Sequence, residues 1–326
     1  MKTRNRLSVL VALTAVGFTC ACGVSETEDA STFPSRTIEV VVPYPPGGGS
    51  DVLARALVDE INASGDLDAD MQIINREGGA GVVGVGETLS ADADGYTVVV
   101  APEGPITLQP QVTDVSYEPL DLTPIAQVTR GPVVIAVPDD SPFKSMDDLV
   151  AAARKSPGTV TLGEGPLSYA VPAAQIEQME DVSFRHVDYE GDAASTTALL
   201  GANVDAAFTQ ISGILSQVKS GSLRVLAVGS PERSTFMPEV PTFKEAGIDI
   251  EATAVYAVFG PAGIPSDVAD VLTEAFTTAM ASPKFEKVAE TAGLPIQPAE
   301  GDELMTYFTD RSAEVQDVIE SAGGSL

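Results

Sequence analysis

The chain has 326 residues, with 47 Asp and Glu against 18 Lys and Arg, one His, two Cys and no Trp. That length has room for two domains, and a hydrophobic content of 44% is ordinary for a chain that buries a sizeable core. A formal charge of −29 argues against a nucleic-acid binder, which needs a basic footprint, and against a surface that docks by itself on anionic lipid.

The first 22 residues read as an export signal. Lys2, Arg4 and Arg6 precede the apolar run Leu7 to Thr19, and no acidic residue occurs before Glu26. The run is too short to span a ~30 Å hydrocarbon core but has the size of a signal-peptide core. Thr19-Cys20-Ala21-Cys22 then resembles a bacterial lipobox, although such motifs commonly carry Leu where Thr19 stands. The expectation is a signal peptide at residues 1–21, lipidation of Cys22 and a flexible acidic tether over residues 22–33; ordinary cleavage without lipid is the alternative. The mature chain keeps 15 basic residues against 47 acidic ones, a net charge of −32. Both Cys lie in this segment, so the body has neither disulfides nor Cys-rich metal sites. No other stretch reaches 18 consecutive apolar residues.

From Thr37 onward, short apolar runs alternate with helical patterns. Strands are expected at 38–42, 71–74, 96–100, 132–137, 160–162, 184–187, 206–209, 223–228 and 252–259. Helices are expected at 51–63, 82–89, 146–154, 173–179, 193–200, 214–219, 266–280 and 302–321. In the first helix Leu53, Leu57 and Ile61 recur every fourth residue. The alternation means an α/β fold with mainly parallel sheets, and so many strands suit two lobes better than one sheet.

Ligands of open α/β sheets bind beyond the carboxyl ends of strands, at helix amino termini. Four loops answer to that position: Pro43–Asp51, Ala101–Pro105, Gly163–Tyr169 and Tyr189–Asp192, two in each presumed lobe. Glycines at Gly47, Gly48, Gly163 and Gly165 let backbone N–H groups turn toward a ligand, and Ser50 or Asp51 can cap the helix that follows. Two such loops facing each other can grip a carboxylate without Arg. Helix-capping turns are the plainer reading of each loop alone.

Three other motifs invite different chemistry. Gly79-Ala-Gly81-Val-Val-Gly84 satisfies a dinucleotide-binding pattern, with Glu103 near the distance of a ribose-binding acid. The connection through Asn75–Gly79 is longer than a dinucleotide turn, so a glycine loop supporting a cleft is expected instead of NAD binding. Asp66-x-Asp68-x-Asp70 imitates a calcium loop, but Met71 stands where the turn needs Gly, and a solvated turn is expected. His186, the lone imidazole, reads as a hydrogen-bonding structural residue. Serine-hydrolase, zinc-protease and phosphate-loop signatures are absent, so no catalytic residues, cofactor or metal site are expected.

Several segments in fixed order carry a family resemblance: PSRTIEVVVPYPPGGGSDVLARAL, INREGGAGVVGVGETLSADADGYTVVV, VDYEGDAASTTALLGANVDAAF, and LRVLAVGSPERSTFMPEVPTFKEAG followed by FGPAGIP. They resemble the tripartite tricarboxylate transporter substrate-binding receptors, the Bug family, from about Pro34 to the carboxyl terminus. The resemblance implies a type II-like, two-lobed periplasmic-binding-protein fold with an interlobe cleft and two crossover strands, lobe 1 taking residues 34–130 and 257–326 and lobe 2 residues 131–256. It also implies a monomer on the outer face of the cytoplasmic membrane that hands a small carboxylate to large and small membrane subunits, or else reports it to a signalling partner. The resemblance implies ligand contacts at Tyr44, Gly47, Gly48, Ser50, Asp51, Gly163, Gly165, Ser168 and Tyr169, and the loops after strands add Pro46, Glu103, Tyr189 and Asp192 as candidates. The second loop departs from the family's usual GSxGxGSxxH, Glu190 replaces a common Lys, and Tyr256 a common Trp. With Glu103, Glu164 and Asp192 near the cleft, a monocarboxylate or amino-bearing carboxylate is expected over citrate.

Overall fold

The computed structural model describes residues 32–165, 167–189 and 191–322. Cys22 and the export segment, with Pro166 and Glu190, lie outside them. The chain opens with β1 (Ile38–Val42), α1 (Gly49–Ser64), β2 (Met71–Asn75), α2 (Val82–Leu89) and β3 (Thr97–Pro102). β1 pairs in parallel with β2 and β3. The four-residue helices α3 (Gly104–Thr107) and α4 (Gln109–Val112) lead to β4 (Leu122–Pro138), the longest strand described.

The second lobe contains α5 (Met146–Lys155), β5 (Thr161–Glu164), α6 (Ala170–Glu180), β6 (Arg185–Asp188), α7 (Asp192–Leu200), β7 (Ala206–Gln210), α8 (Ile211–Lys219) and β8 (Leu223–Val228). The chain returns along β9 (Thr253–Pro261) to α9 (Ser266–Met280), α10 (Pro283–Ala292) and α11 (Gly301–Ser321).

The lobes meet along β4. Its first part, Leu122 to Pro132, pairs with β9, and its last part, Val133 to Pro138, pairs with β7 and β8. The outward crossing is thus one continuous strand, whereas the return runs from Gly229 and Ala252, whose backbones bond each other and Val133, into β9. All pairings of β4 and β9 are antiparallel, and among the described strand pairs β1–β2, β1–β3, β5–β6 and β5–β7 are parallel. The expectation of mainly parallel sheets is therefore corrected to mixed sheets: the two strands that carry the chain between lobes enter each sheet from the opposite end.

The expectation of a short strand at 132–137 missed the first half of β4. Pro124, Gly131 and Pro132 interrupt its pattern, and proline inside a strand ordinarily argues against a ladder. Here the register against β9 shifts between Pro124 and Ala126 and again between Gln127 and Thr129, and such bulges absorb the missing donor. α10 was also missed. Its end signals are present, since Ser282 caps Phe285 N–H at 3.1 Å, Pro283 opens the first turn and Gly293 closes it. Only Phe285 and Ala289 of its residues are buried, too few for a periodic signal.

Each lobe has cores on both faces of its sheet. In the first, α1, α9 and α10 cover one face through Leu53, Leu57, Leu272, Phe276 and Phe285, while Ile106, Phe259 and Phe308 pack the other. In the second, Leu149, Ile176, Phe208 and Phe243 form one core, and Leu199, Ile211, Ile214 and Val225 the other. No helix among the described residues is long and apolar enough to cross a membrane.

Candidate functional site

The strand-to-helix connection after β1 is built around one carboxylate. α1 begins at Gly49, two residues earlier than the sequence predicts, and its cap is Gly48 with no side-chain hydrogen bond. Ser50 and Asp51 are therefore first-turn residues and not caps. Asp51 reaches back to accept from Gly47 N–H at 2.8 Å, and it accepts from Asn75 Nδ2 at 2.9 Å and from Arg55 Nε and Nη2 at 2.8 Å each. The Arg55 guanidinium holds the Asp51 carboxyl down at about 2. Asn75 also donates to Tyr44 C=O at 3.0 Å, and Gly47 takes the positive φ of 84° that its lack of a Cβ permits. The clamp leaves Pro46 and Gly47 exposed at the loop tip, Gly48 half-buried and Ser50 buried. First-turn N–H groups from Gly49 on are those that a helix leaves without internal partners.

The glycine motif at Gly79–Gly84 supports this loop from below. Tyr44 Oη donates to Ala80 C=O at 3.0 Å. A Cβ on Gly81 would stand 2.9 Å from Tyr44 Oη, and one on Gly84 2.8 Å from Pro43 Cβ. Gly81 and Gly84 let α2 press against the root of the loop.

In the second lobe β5 runs on to Glu164, so the loop begins two residues later than the sequence predicts. Gly163 is a buried strand residue in register with Val187 and Ala207, with α7 close above it. Gly165 lies against the loop before α7; a Cβ there would meet Gly191 C at 2.9 Å and Asp192 N at 3.0 Å. Ser168 is half-buried in the turn Leu167–Tyr169. The Tyr169 side chain is buried and donates to Asp192 Oδ2 at 3.1 Å. Tyr189 is half-buried, donates its N–H to Glu164 C=O at 2.8 Å and packs its ring against the core of α7 and α8.

Tyr256 joins the two halves. Its hydroxyl lies where a Gly49 Cβ would be 3.7 Å away, and Ser50 of α1 and Gln210 of β7 are its polar neighbours. Gln210 is also a polar neighbour of Tyr169. Ser50, Tyr256, Gln210, Tyr169 and Asp192 thus form one chain of polar contacts across the lobes. Gln210 and Thr209 escaped sequence reading because β7 passes directly into α8, leaving no loop to notice. Their position at the carboxyl end of a strand is the signal that could have found them.

The acids near this chain differ in their partners. Glu103 is buried; it accepts from Tyr307 Oη and pairs with Arg311 Nε at 3.5 Å, and burial pushes its carboxyl up against the pull of Arg311. Buried Glu164 takes His186 Nδ1 at 2.7 Å, while His186 Nε2 meets Glu177 at 3.2 Å. These carboxylates raise His186 to about 10, so it is a charged structural clamp at neutral pH. Asp192 has a hydroxyl partner instead of a cation. Burial pushes it up to about 6, against the pull of the Tyr169 hydroxyl. Its Oδ1 is buried with no hydrogen-bond partner, as are Ser195 Oγ, Thr196 Oγ1 and Thr209 Oγ1.

A family model described as "Tripartite tricarboxylate transporter family receptor" matches residues 53–323. Protein BugT of Bordetella pertussis is 29% identical over 317 residues, covering 95% of this chain and 96% of that one. A TctC solute binding protein from Polaromonas superposes with a TM-score of 0.78 at 28% identity, over 89% of this chain and 100% of its own. R. palustris Rpa4515, solved with adipate, shares the fold with a TM-score of 0.76 at 24% identity, over 89% and 98% of the two chains. The chain belongs to the tripartite tricarboxylate transporter receptors, the Bug family, whose members are periplasmic solute-binding proteins of two lobes and not enzymes.

Proposed function

We infer that this receptor captures a small carboxylate between its lobes and delivers it to the large and small membrane subunits of a tripartite tricarboxylate-type transporter. It works as a monomer tethered through Cys22 on the outer face of the cytoplasmic membrane. Lobe 1 takes residues 34–130 and 257–326, and lobe 2 residues 131–256. The observation that carries the reading is the meeting of the first turn of α1 with Tyr256, Gln210, Tyr169 and Asp192. In this reading the ligand's carboxylate sits at the N–H groups beside Gly48 and Ser50, with Tyr44 and Tyr256 around it.

The magnitudes are sufficient. A micromolar complex needs about 8 kcal/mol. Hydrogen bonds to a charged group contribute roughly 1.5–3 kcal/mol each, and a helix terminus adds up to about 2 kcal/mol. Three or four such contacts suffice. Most of the chain's negative charge lies beyond the ~8 Å screening length. Asp51, Glu103 and Glu164 are matched by Arg55, Arg311 and His186, so Asp192 opposes an anion most directly. That favours a monocarboxylate or an amino-bearing carboxylate over citrate.

Thermal unfolding of the purified chain against mono-, di- and tricarboxylates tests this. A ligand at a hundred times its Kd adds about 2.7 kcal/mol and raises the midpoint by several degrees. A rise with monoanions or amino-bearing acids is expected. Citrate binding more tightly than every monoanion would refute the preference, and silence across all carboxylates would refute the carboxylate reading.

A further inference from the structure

We propose that the second pole of the ligand is a protonated amine received by Asp192, so that this receptor selects amino-bearing carboxylates over the same acids lacking the amine. The proposal rests on the carboxylate reading above and names the feature that would set specificity within it.

The argument starts from buried oxygen atoms. Asp192 opens α7, and Tyr169 Oη satisfies its Oδ2 at 3.1 Å. Its Oδ1 is enclosed and has no partner. Thr209 on β7 and Ser195, three residues along α7, are both 0% exposed, and both hydroxyls also lack partners. The position of a Cβ on Gly213 would lie 3.4 Å from Thr209 Oγ1 and 4.0 Å from Asp192 Cβ, which puts these two side chains beside each other. Buried polar atoms are nearly always paired, because an unpaired one loses its hydration without return. Oxygens left unpaired around one carboxylate, at the end of the interlobe contact chain, fit a partner that arrives with the ligand.

The chemistry of that partner follows from what is missing. Asp192 Oδ1 can only accept, the two hydroxyls can accept as well as donate, and an ammonium brings three donors and no acceptor. No Lys, Arg or His occurs among Ser50, Tyr169, Asp192, Ser195, Thr209, Gln210 and Tyr256. A second carboxylate on the ligand would face Asp192 with no cation between them. Burial has already raised Asp192 to about 6, so the site favours gaining a positive charge, and a ligand ammonium supplies one. The amine and the carboxylate of one small molecule would then answer the two ends of the contact chain, the first turn of α1 and Asp192.

The test is calorimetric titration of the full chain with the common amino acids, each beside its desamino acid: glutamate and glutarate, aspartate and succinate, leucine and 4-methylpentanoate. The amine-bearing member of a binding pair should be tighter by roughly tenfold or more, the ratio that one charge-assisted contact supplies. Asp192→Asn, which keeps the side chain's shape, should remove that advantage, so that the ratio of the two affinities falls toward one. Thr209→Val should lower the same ratio, and serves if Asp192→Asn folds poorly. Equal or tighter binding of the desamino acid in every binding pair overturns the proposal, as does an unchanged ratio in Asp192→Asn. A dicarboxylate that wins at pH 5 and weakens above pH 6 also overturns it, by assigning Asp192 a proton shared with the ligand. If desamino acids bind and amino acids do not, this inference fails while the carboxylate reading stands; if neither binds, both fail.

Discussion

Replacing Asp51 with Ala tests whether one carboxylate holds the first-lobe loop. In the folded chain Asp51 accepts four hydrogen bonds, two from Arg55 and one each from Gly47 and Asn75. The Arg55 side chain is 49% exposed, so the freed guanidinium returns to water and its pairing is worth about 1 kcal/mol at most. Charge-assisted bonds from Gly47 N–H and Asn75 Nδ2 carry roughly 1.5 kcal/mol or more each, discounted because Gly47 is at the surface. The expected loss is about 2–3 kcal/mol in urea unfolding at pH 7, or a midpoint lowered by roughly 3–5 °C. Carboxylate affinity should fall with it, since Gly47 and Tyr44 lose their anchor. The acid dependence has a definite sign. The Asp51 pKa is lowered from 3.8 to about 2 by folding, so its contribution is present above 3.8 and is lost as pH falls through about 2. The gap between native and variant chains should therefore be flat from pH 7 to pH 4 and close below it. A loss under about 0.5 kcal/mol, the level of an ordinary surface substitution, would refute the clamp.

Three further substitutions probe other parts of the site. His186→Gln should destabilise the second lobe most at low pH: folding raises His186 from 6.5 to about 10, so its contribution is full below 6.5 and vanishes as pH rises through 10. Urea midpoints at pH 6, 8 and 10 should converge with the native chain, and a gap that widens with pH would contradict the clamp on Glu164 and Glu177. Gly84→Ala places a Cβ 2.6 Å from Arg76 C=O and 2.8 Å from Pro43 Cβ, and overpacking of this kind costs about 1–3 kcal/mol. Unchanged stability by denaturant melting would deny that the glycine is there for close packing. Tyr256→Phe keeps the ring and removes the hydroxyl shared by Ser50 and Gln210. With about 1 kcal/mol per neutral hydrogen bond, titration should show ligand binding weaker by roughly fivefold or more, and native affinity would mean that the bridge does not contribute.

Local physics made much of this protein legible in its sequence. Ile38–Val42, Val82–Leu89, Leu223–Val228 and Ser266–Met280 fall where their periodicity places them, because β-branched runs and recurring apolar positions act within one element. The Gly47–Gly49 loop and the order of motifs around it pointed to the receptor family that the family match bears out. The pairing partners of β4 did not follow from its residues. Its prolines and Gly131 look like breaks, and only the presence of β9 on one side and β7 and β8 farther along makes a continuous strand of them, with register shifts at Pro124–Ala126 and Gln127–Thr129 and with Gly131 and Pro132 held in register. The same holds for the acids. Asp51, Glu103, Glu164 and Asp192 are alike as letters, and composition gives each the same charge. The i,i+4 spacing of Asp51 and Arg55 is local, but tertiary structure decides that Glu103 and Glu164 meet Arg311 and His186 while Asp192 meets the Tyr169 hydroxyl. Which partner reaches a buried carboxylate depends on contacts between residues as far apart as Glu103 and Arg311, and no local pattern records such a separation.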